Sequence, residues 1–236
     1  MGRGFCEPPR DTAGAIDSAA FFERVLPPMT SSELAEAPLP IRLKRKVQAM
    51  LGPMGLFLKG FVKHPVMVGA IVPSSRRTIG RVLSVVDWDR CQVFVEYGPG
   101  VGTFCQPVLD RLRRDGRLIV IDTNPDFIAY LKSTIRDSRF SAVHGSAAEV
   151  QAIVAAHGFD HADFVLSGLP FTTLPPGVGP AIMAATRDVL RAGGCFLVYQ
   201  YTARARALMR PYFPRIDKGF EPVNVPPCVI SWGWKD

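Results

Sequence analysis

The stretch Val93-Phe94-Val95-Glu96-Tyr97-Gly98-Pro99-Gly100-Val101-Gly102 governs how the rest of the chain is interpreted. Apolar residues run directly into three glycines, which is the pattern of a buried strand followed by a tight turn. A helix is predicted to open near Thr103. Such a unit begins many nucleotide-binding parallel sheets, where glycines allow backbone to approach a ligand closely. The same glycines could also serve a purely structural turn, and only residues further along the chain can decide.

Composition limits the classes of protein that the chain can be. Its 236 residues, 47% of them hydrophobic, are enough for one α/β domain with a core. Five scattered cysteines without a Cys-x-x-Cys pair indicate reduced thiols and predict no metal site. No secretory signal is expected at the start of the chain, and the uncharged stretch 164–186 contains too many prolines for a membrane-spanning helix.

The net charge of +7 favours an anionic partner, either nucleic acid or an acidic membrane surface. A basic segment at 41–63 carries six Lys and Arg and no acid, with bulky apolar residues at helical spacing. This combination is typical of a helix that lies in a membrane interface. An amphipathic helix packed over the core is the alternative. We expect a poorly ordered leader at 1–38, amphipathic and cap helices at 39–90, and the core domain at 91–236.

Beyond the glycine turn, short apolar runs alternate with segments of helical periodicity. This alternation predicts a mainly parallel α/β sheet covered on both faces. We expect further strands at 117–121, 140–143, 164–166, 195–201, 215–221 and 228–234, and helices at 73–86, 103–114, 125–136 and 179–191, with another ending at 156.

Polar residues fall where the predicted strands end, at Glu96, Asp122, Ser146 and Ser167. The carboxyl ends of parallel strands share one edge, which is where open α/β sheets bind ligands. Asp122 follows the glycine turn by roughly 20 residues, the spacing at which an acid accepts hydrogen bonds from ribose hydroxyls. Its alternative role is to cap the following helix. A nicotinamide cofactor is the less favoured ligand, because Glu-x-Gly-x-Gly-x-Gly is not the dinucleotide pattern Gly-x-Gly-x-x-Gly.

The glycine turn resembles motif I of the class I S-adenosylmethionine-dependent methyltransferases. Segments 65–76, 96–104, 121–127, 143–147 and 167–171 together resemble the bacterial phospholipid N-methyltransferase family, and the likeness covers roughly residues 55–232. The resemblance implies a Rossmann-like class I methyltransferase fold, with seven mostly parallel strands and N-terminal amphipathic helices. It also implies S-adenosyl-L-methionine as cofactor and methylation of phosphatidylethanolamine towards phosphatidylcholine. Relatives in that family act on ornithine lipids.

The resemblance also assigns site residues. Ser146 stands where the family usually has Asp, and Asp122 where it often has Glu. We expect amine binding and transfer around Ser167, Gly168 and Leu169, with backbone carbonyls and a hydroxyl as acceptors. Tyr199 and Tyr201 are candidates for ring faces towards a methylated ammonium, although strand packing would equally explain them. The predicted cofactor-binding residues are Glu96, Tyr97, Gly98, Gly100, Gly102, Asp122, Thr123, Ser146, Ala147 and Ser167.

Ribosomal RNA adenine dimethyltransferases share the glycine pattern and are the closest alternative. Those enzymes use an Asn of Asn-Leu-Pro-Tyr to accept from the target amine, whereas this chain has Gly168 there. Nucleic acid is therefore the less expected partner, and a protein that binds cofactor or membrane without turnover is a third class. The expected partners are an aminophospholipid and, through 41–63, an anionic membrane. The protein is expected in the cytoplasm, peripherally associated with the inner face of the cytoplasmic membrane.

Overall fold

The computed structural model describes residues 76–200, 204–222 and 227–236. These residues build a sheet of seven strands in the order β3-β2-β1-β4-β5-β7-β6. Strands β1 to β5 pair in parallel, while β7 pairs antiparallel with both β5 and β6. The predicted fold class is confirmed. The strands are β1 (Val93–Tyr97), β2 (Arg117–Asp122), β3 (Phe140–His144), β4 (Ala162–Ser167), β5 (Leu190–Gln200), β6 (Arg215–Glu221) and β7 (Cys228–Trp234).

Helices cover both faces of the sheet. The side chains of α1, α2 and α3 pack into one apolar core, and those of α4, α5 and α6 into a second core on the opposite face. All five residues of the central strand β1 are buried, as expected for a strand covered on both sides. The helices are α1 (Arg76–Val82), α2 (Cys105–Leu109), α3 (Pro125–Thr134), α4 (Val150–Ala156), α5 (Val178–Val189) and α6 (Arg204–Met209), with 3-10 turns at Leu83–Val85 and Ala147–Glu149.

Two predicted elements have different bounds in the structure. The helix expected over 103–114 ends at Leu109, so it is much shorter. The strand expected from Cys195 begins at Leu190, so the helix before it stops at Val189. Long-range contacts explain the second difference. Arg191 Nε donates to the buried Asp163 Oδ1 of β4 at 2.5 Å, which holds this part of the chain extended beside the sheet.

The two closing strands have the bounds that the sequence predicted. The predicted leader, most of the region 39–90, and the basic segment 41–63 lie outside the described residues, so the membrane helix stays a prediction. In the parts of the chain that the structure covers, no helix combines the length and the apolar character needed to cross a bilayer.

Candidate active site

The glycine turn lies at the carboxyl end of β1 and is tied to the neighbouring strand. The backbone N–H of Gly98 donates to the carbonyl of Ile121 in β2 at 2.9 Å. Gly98, Gly100 and Gly102 have φ angles of 62°, 54° and 80°, a region that residues with a side chain adopt only with strain. The backbone of this turn therefore requires glycine at all three positions.

Space around the three glycines differs. A Cβ on Gly98 would lie 2.9 Å from Leu169 Cδ2, and one on Gly102 would lie 2.6 Å from Leu131 Cδ2, so both glycines are also required by packing. A Cβ on Gly100 would meet nothing within 4 Å. The middle of the turn thus borders open space, which is what close approach of a ligand to backbone needs.

Glu96 is buried just before the turn, with 2% of its surface exposed. The thiol of Cys105 in α2 donates to Glu96 Oε2 at a distance of 3.5 Å. Burial raises the pKa of Glu96 to about 8, partly offset by the Cys105 hydrogen bond, and the neighbouring Asp122 carboxylate raises it further. The carboxyl group consequently keeps its proton over much of the neutral range.

Replacing Glu96 with Gln is expected to flatten the pH dependence of folding stability. The carboxyl pKa rises from an ordinary 4.5 to about 8, so the folded chain keeps a proton that the unfolded chain releases. This contribution is fully present below pH 4.5 and is lost as the pH rises towards 8, with a slope of at most about 1.4 kcal/mol per pH unit. Urea unfolding between pH 5 and 8 measures the slope. Equal slopes for wild type and Glu96→Gln would show that Glu96 is ionised in the folded protein.

Asp122 ends β2 beside the glycine turn. Its Oδ1 accepts from the backbone N–H of Asn124 at 2.8 Å, and the backbone N–H of Gly100 also stabilises its charge. Burial is the largest influence on the carboxyl and raises its pKa. The alternative interpretation of Asp122 as helix cap is wrong, because Asn124 caps α3 by accepting from Asp126 N at 2.9 Å. The Asp122 carboxylate is available for another role at this edge.

Ser146 follows β3 at the same edge and caps a 3-10 turn. Its Oγ accepts from Ala148 N at 3.2 Å, while its own N–H donates to Glu149 Oε2 at 3.2 Å. These reciprocal bonds form a capping box. The N–H of Gly145 donates to the Asp122 carbonyl at 3.1 Å, which places the start of this turn beside β2. Contact of Ser146 and Ala147 with the cofactor stays a prediction.

The segment Ser167–Gly168–Leu169 leaves β4 against the glycine turn. The N–H of Gly168 donates to the carbonyl of Tyr97 at 3.0 Å, and Ser167 Oγ accepts from Leu169 N at 3.2 Å. A Cβ on Gly168 would lie 3.1 Å from Gly98 O and 3.0 Å from Tyr199 Oη. The structure therefore brings the predicted amine-binding segment and the predicted cofactor turn into direct contact.

Tyr199 is the aromatic residue of β5 that reaches this segment. Its ring centroid lies 4.9 Å from that of Phe104, the residue before α2, at an interplanar angle of 42°. Its hydroxyl stands beside Gly168, so one end of the ring faces the predicted transfer site. The predicted partner Tyr201 lies outside the described residues.

Gln200, the last residue of β5, belongs to this site and was missed by the sequence analysis. Its Nε2 donates to the carbonyl of Leu169 at 2.5 Å. That carbonyl also accepts from Phe171 N at 3.0 Å, so both of its lone pairs are engaged and the predicted acceptor role of Leu169 loses its support. A polar residue closing an apolar strand was the available signal in the sequence.

The described part of the chain contains no group of three potential metal ligands. Its four cysteines are buried and free. Burial raises the pKa of each thiol, to about 11 for Cys228, so these residues stay protonated rather than acting as nucleophiles. The chemistry of the site therefore rests on the glycine turn, the two acids and the ends of β4 and β5.

Comparison with known proteins adds to this geometry. No family model matches the chain. The chain is 30% identical over 175 residues to an ornithine lipid N-methyltransferase from Singulisphaera acidiphila, covering 73% of this chain and 91% of the relative. The chain belongs to the family of that enzyme. It is an S-adenosylmethionine-dependent N-methyltransferase.

Solved structures agree with the class I fold of this N-methyltransferase. N-methyltransferase NodS from Bradyrhizobium japonicum in complex with S-adenosylhomocysteine matches with a TM-score of 0.53 at 14% identity, over 67% of this chain and 84% of NodS. An S-adenosylmethionine-dependent O-methyltransferase from Thermotoga maritima matches with a TM-score of 0.51 at 13% identity, over 68% of this chain and 65% of that protein.

The cofactor is S-adenosylmethionine, and the site has the features needed to hold it. Open space beside Gly100 admits a ligand to the backbone of the turn. Asp122 offers carboxylate oxygens at the adjacent strand end, in hydrogen-bond contact with Gly100 N–H. A backbone that admits close approach and an acid that can accept from ribose hydroxyls fit an adenosyl group.

Proposed function

We propose that this N-methyltransferase acts on the amine of a membrane aminolipid headgroup. The observation that carries the proposal is the make-up of the segment after β4. Gly168 occupies the position where adenine methyltransferases place an Asn acceptor, and it lies against Gly98 and Tyr199. The relative that matches over 73% of this chain is named as a lipid N-methyltransferase, which supports the same substrate class.

Two aminolipids are candidates. Phosphatidylethanolamine, methylated towards phosphatidylcholine, is favoured by the resemblance of the segments at 65–76 and 167–171 to the phospholipid N-methyltransferases. Ornithine lipid is favoured by the printed function of the Singulisphaera relative. Both substrates present a primary amine near a bilayer surface, so the same transfer site would serve either.

The residues divide the work of the transfer. The glycine turn and Asp122 hold the cofactor, which supplies an activated methyl group when bound. The ends of β4 and β5 orient the incoming amine, and the Tyr199 ring offers a π face that attracts a methylated ammonium. Methyl transfer depends mainly on holding the two reacting atoms in line and close, since the sulfonium leaves without further activation.

A nucleobase substrate fits this site less well. The missing Asn leaves a buried exocyclic amine one acceptor short, which costs about 1–3 kcal/mol. Phe171 keeps the aromatic ring of the adenine-binding motif but lacks its hydroxyl. These two differences disfavour RNA as the substrate.

The direct test is to measure which substrate takes up the methyl group. Purified protein is incubated with labelled S-adenosylmethionine and, separately, with phosphatidylethanolamine vesicles, ornithine lipid micelles and ribosomal RNA. Label in a lipid fraction alone is the expected result. Label in RNA alone would overturn the proposal, and no label in any arm would indicate a binding protein without turnover.

We further propose that the basic segment 41–63 binds an anionic bilayer and brings the protein to the inner face of the cytoplasmic membrane. Each Lys or Arg near an anionic surface contributes about 1 kcal/mol of attraction. Replacing Lys44, Arg45 and Lys46 together with Glu is expected to abolish sedimentation with anionic vesicles. The matched control reverses three exposed charges of the core domain, Arg111, Arg114 and Lys132, and should still sediment. Unchanged sedimentation of the first variant would contradict the membrane role.

A further inference from the structure

The carboxamide of Gln200 has a fixed orientation. A carbonyl oxygen can only accept hydrogen bonds, so the atom that faces Leu169 O at 2.5 Å must be the nitrogen Nε2. The oxygen Oε1 is therefore the outward atom of the group. Gln200 closes β5 at the edge where β1, β2 and β4 also end, so Oε1 belongs to the transfer site.

Gln200 Oε1 is shielded from solvent and has no hydrogen-bond partner in the structure. A buried acceptor without a donor is rare in folded proteins, because it loses its water without replacement. Such atoms occur where a ligand is meant to complete the hydrogen bonding. Of the side-chain atoms described, only Gln200 Oε1 and Arg117 Nε are in this state, and Arg117 lies at the amino end of β2, away from the strand ends that form the site.

We propose that Gln200 Oε1 accepts a hydrogen bond from the N–H of the substrate amine and so aims the nitrogen at the methyl group. This inference rests on the proposed aminolipid function and names the side chain that selects the amine. Gln200 takes over the acceptor role that Gly168 cannot fill and that the doubly engaged Leu169 carbonyl has no lone pair to fill. Since Oε1 is covered in the structure, the arriving headgroup must displace the side chains that cover it.

The number of N–H groups on the amine sets how much Gln200 contributes to each transfer. The ammonium first loses a proton to water, and the freed nitrogen pair forms the bond to the methyl carbon as that carbon's bond to sulfur breaks and its pair stays on sulfur. A neutral primary amine then has two N–H groups, a secondary amine one, and a tertiary amine none. A carboxamide is too weak a base to take the proton itself, so Gln200 orients the amine without deprotonating it.

The inference predicts a step-dependent defect in the Gln200→Leu and Gln200→Met variants. The substrates are one aminolipid in unmethylated, monomethyl and dimethyl form, dispersed in the same detergent micelles. We expect kcat/KM to fall about 10- to 100-fold for the unmethylated and monomethyl lipids, and by less than about 3-fold for the dimethyl lipid. The apparent pKa of the pH–rate profile should not change, because Gln200 takes no proton.

Two measurements separate this role from a structural one. Calorimetry with S-adenosylhomocysteine should give affinities for both variants within about 2-fold of wild type, showing an intact cofactor site. Gln200→Glu keeps an acceptor oxygen and should retain more activity on the unmethylated lipid than Gln200→Leu. If either apolar variant unfolds, the comparison of Gln200→Glu with wild type and the remaining variant decides.

An equal loss on all three lipids, or no loss on any, would overturn the role of Gln200 while leaving the aminolipid function in place. A wild-type protein that methylates none of the three lipids would overturn the proposed function, and this role with it. The two failures are therefore distinguishable from the wild-type measurement alone.

Discussion

Replacing Gly98 with Arg is expected to abolish binding of S-adenosylmethionine. The residue has a φ of 62°, and a Cβ there would already lie 2.9 Å from Leu169 Cδ2. A long side chain at this point fills the space between the turn and the segment after β4. We expect the affinity measured by calorimetry to fall at least about 100-fold, which corresponds to about 2.7 kcal/mol.

Gly158→Arg is the matched control for the backbone strain. Gly158 has a φ of 83°, is exposed after α4, and has open space at its Cβ position. Both substitutions force a side chain into a left-handed conformation at a cost of about 1–2 kcal/mol of folding stability. Only Gly98→Arg should lose the cofactor. Full cofactor binding by Gly98→Arg would place the site elsewhere.

Replacing Asp122 with Ala is expected to weaken S-adenosylmethionine binding about 10- to 100-fold, because hydrogen bonds to a charged group contribute about 1.5–3 kcal/mol. The carboxylate lies at the end of β2 and is held by backbone N–H groups of Asn124 and Gly100. An adenosyl ligand that lacks the ribose hydroxyls should bind wild type and Asp122→Ala with similar affinity. Calorimetry with both ligands measures the difference.

Asn124→Ala tests whether the effect comes from the local turn. Asn124 caps α3, so its loss is expected to cost about 1 kcal/mol of folding stability. The cofactor affinity of this variant should stay near that of wild type. If Asn124→Ala weakened cofactor binding as much as Asp122→Ala, the role of Asp122 would be to shape the turn and not to bind ribose.

Local patterns in the sequence were sufficient for most of the fold. Apolar runs bounded by turn residues predicted β6 and β7 with the bounds that the structure has, and the glycine spacing located the turn after β1. The start of β5 could not be predicted locally. Arg191 was assigned to a helix by its periodicity, but its pairing with Asp163 and the hydrogen bond from Gly193 N to Lys235 O (2.8 Å) extend the strand.

The candidate site was predictable where a residue type has one common use. Glycines at positive φ and an acid at a strand end are such cases, and the structure places Gly100 and Asp122 in contact. Gln200 was not predictable, because its importance comes from a hydrogen bond to Leu169, 31 residues away. The pKa of Glu96 likewise depends on burial beneath α2, which no local pattern states.

The close fit around Gly168 has an evolutionary consequence. A side chain at this position would press on the Gly98 carbonyl, which is backbone, and on the Tyr199 hydroxyl. Installing the Asn of the adenine methyltransferases would consequently demand a smaller residue at 199 and a shifted turn at the same time. Lineages that share this arrangement are separated from nucleobase specificity by several simultaneous changes, so drift through single mutations would explore other amines before it reached RNA.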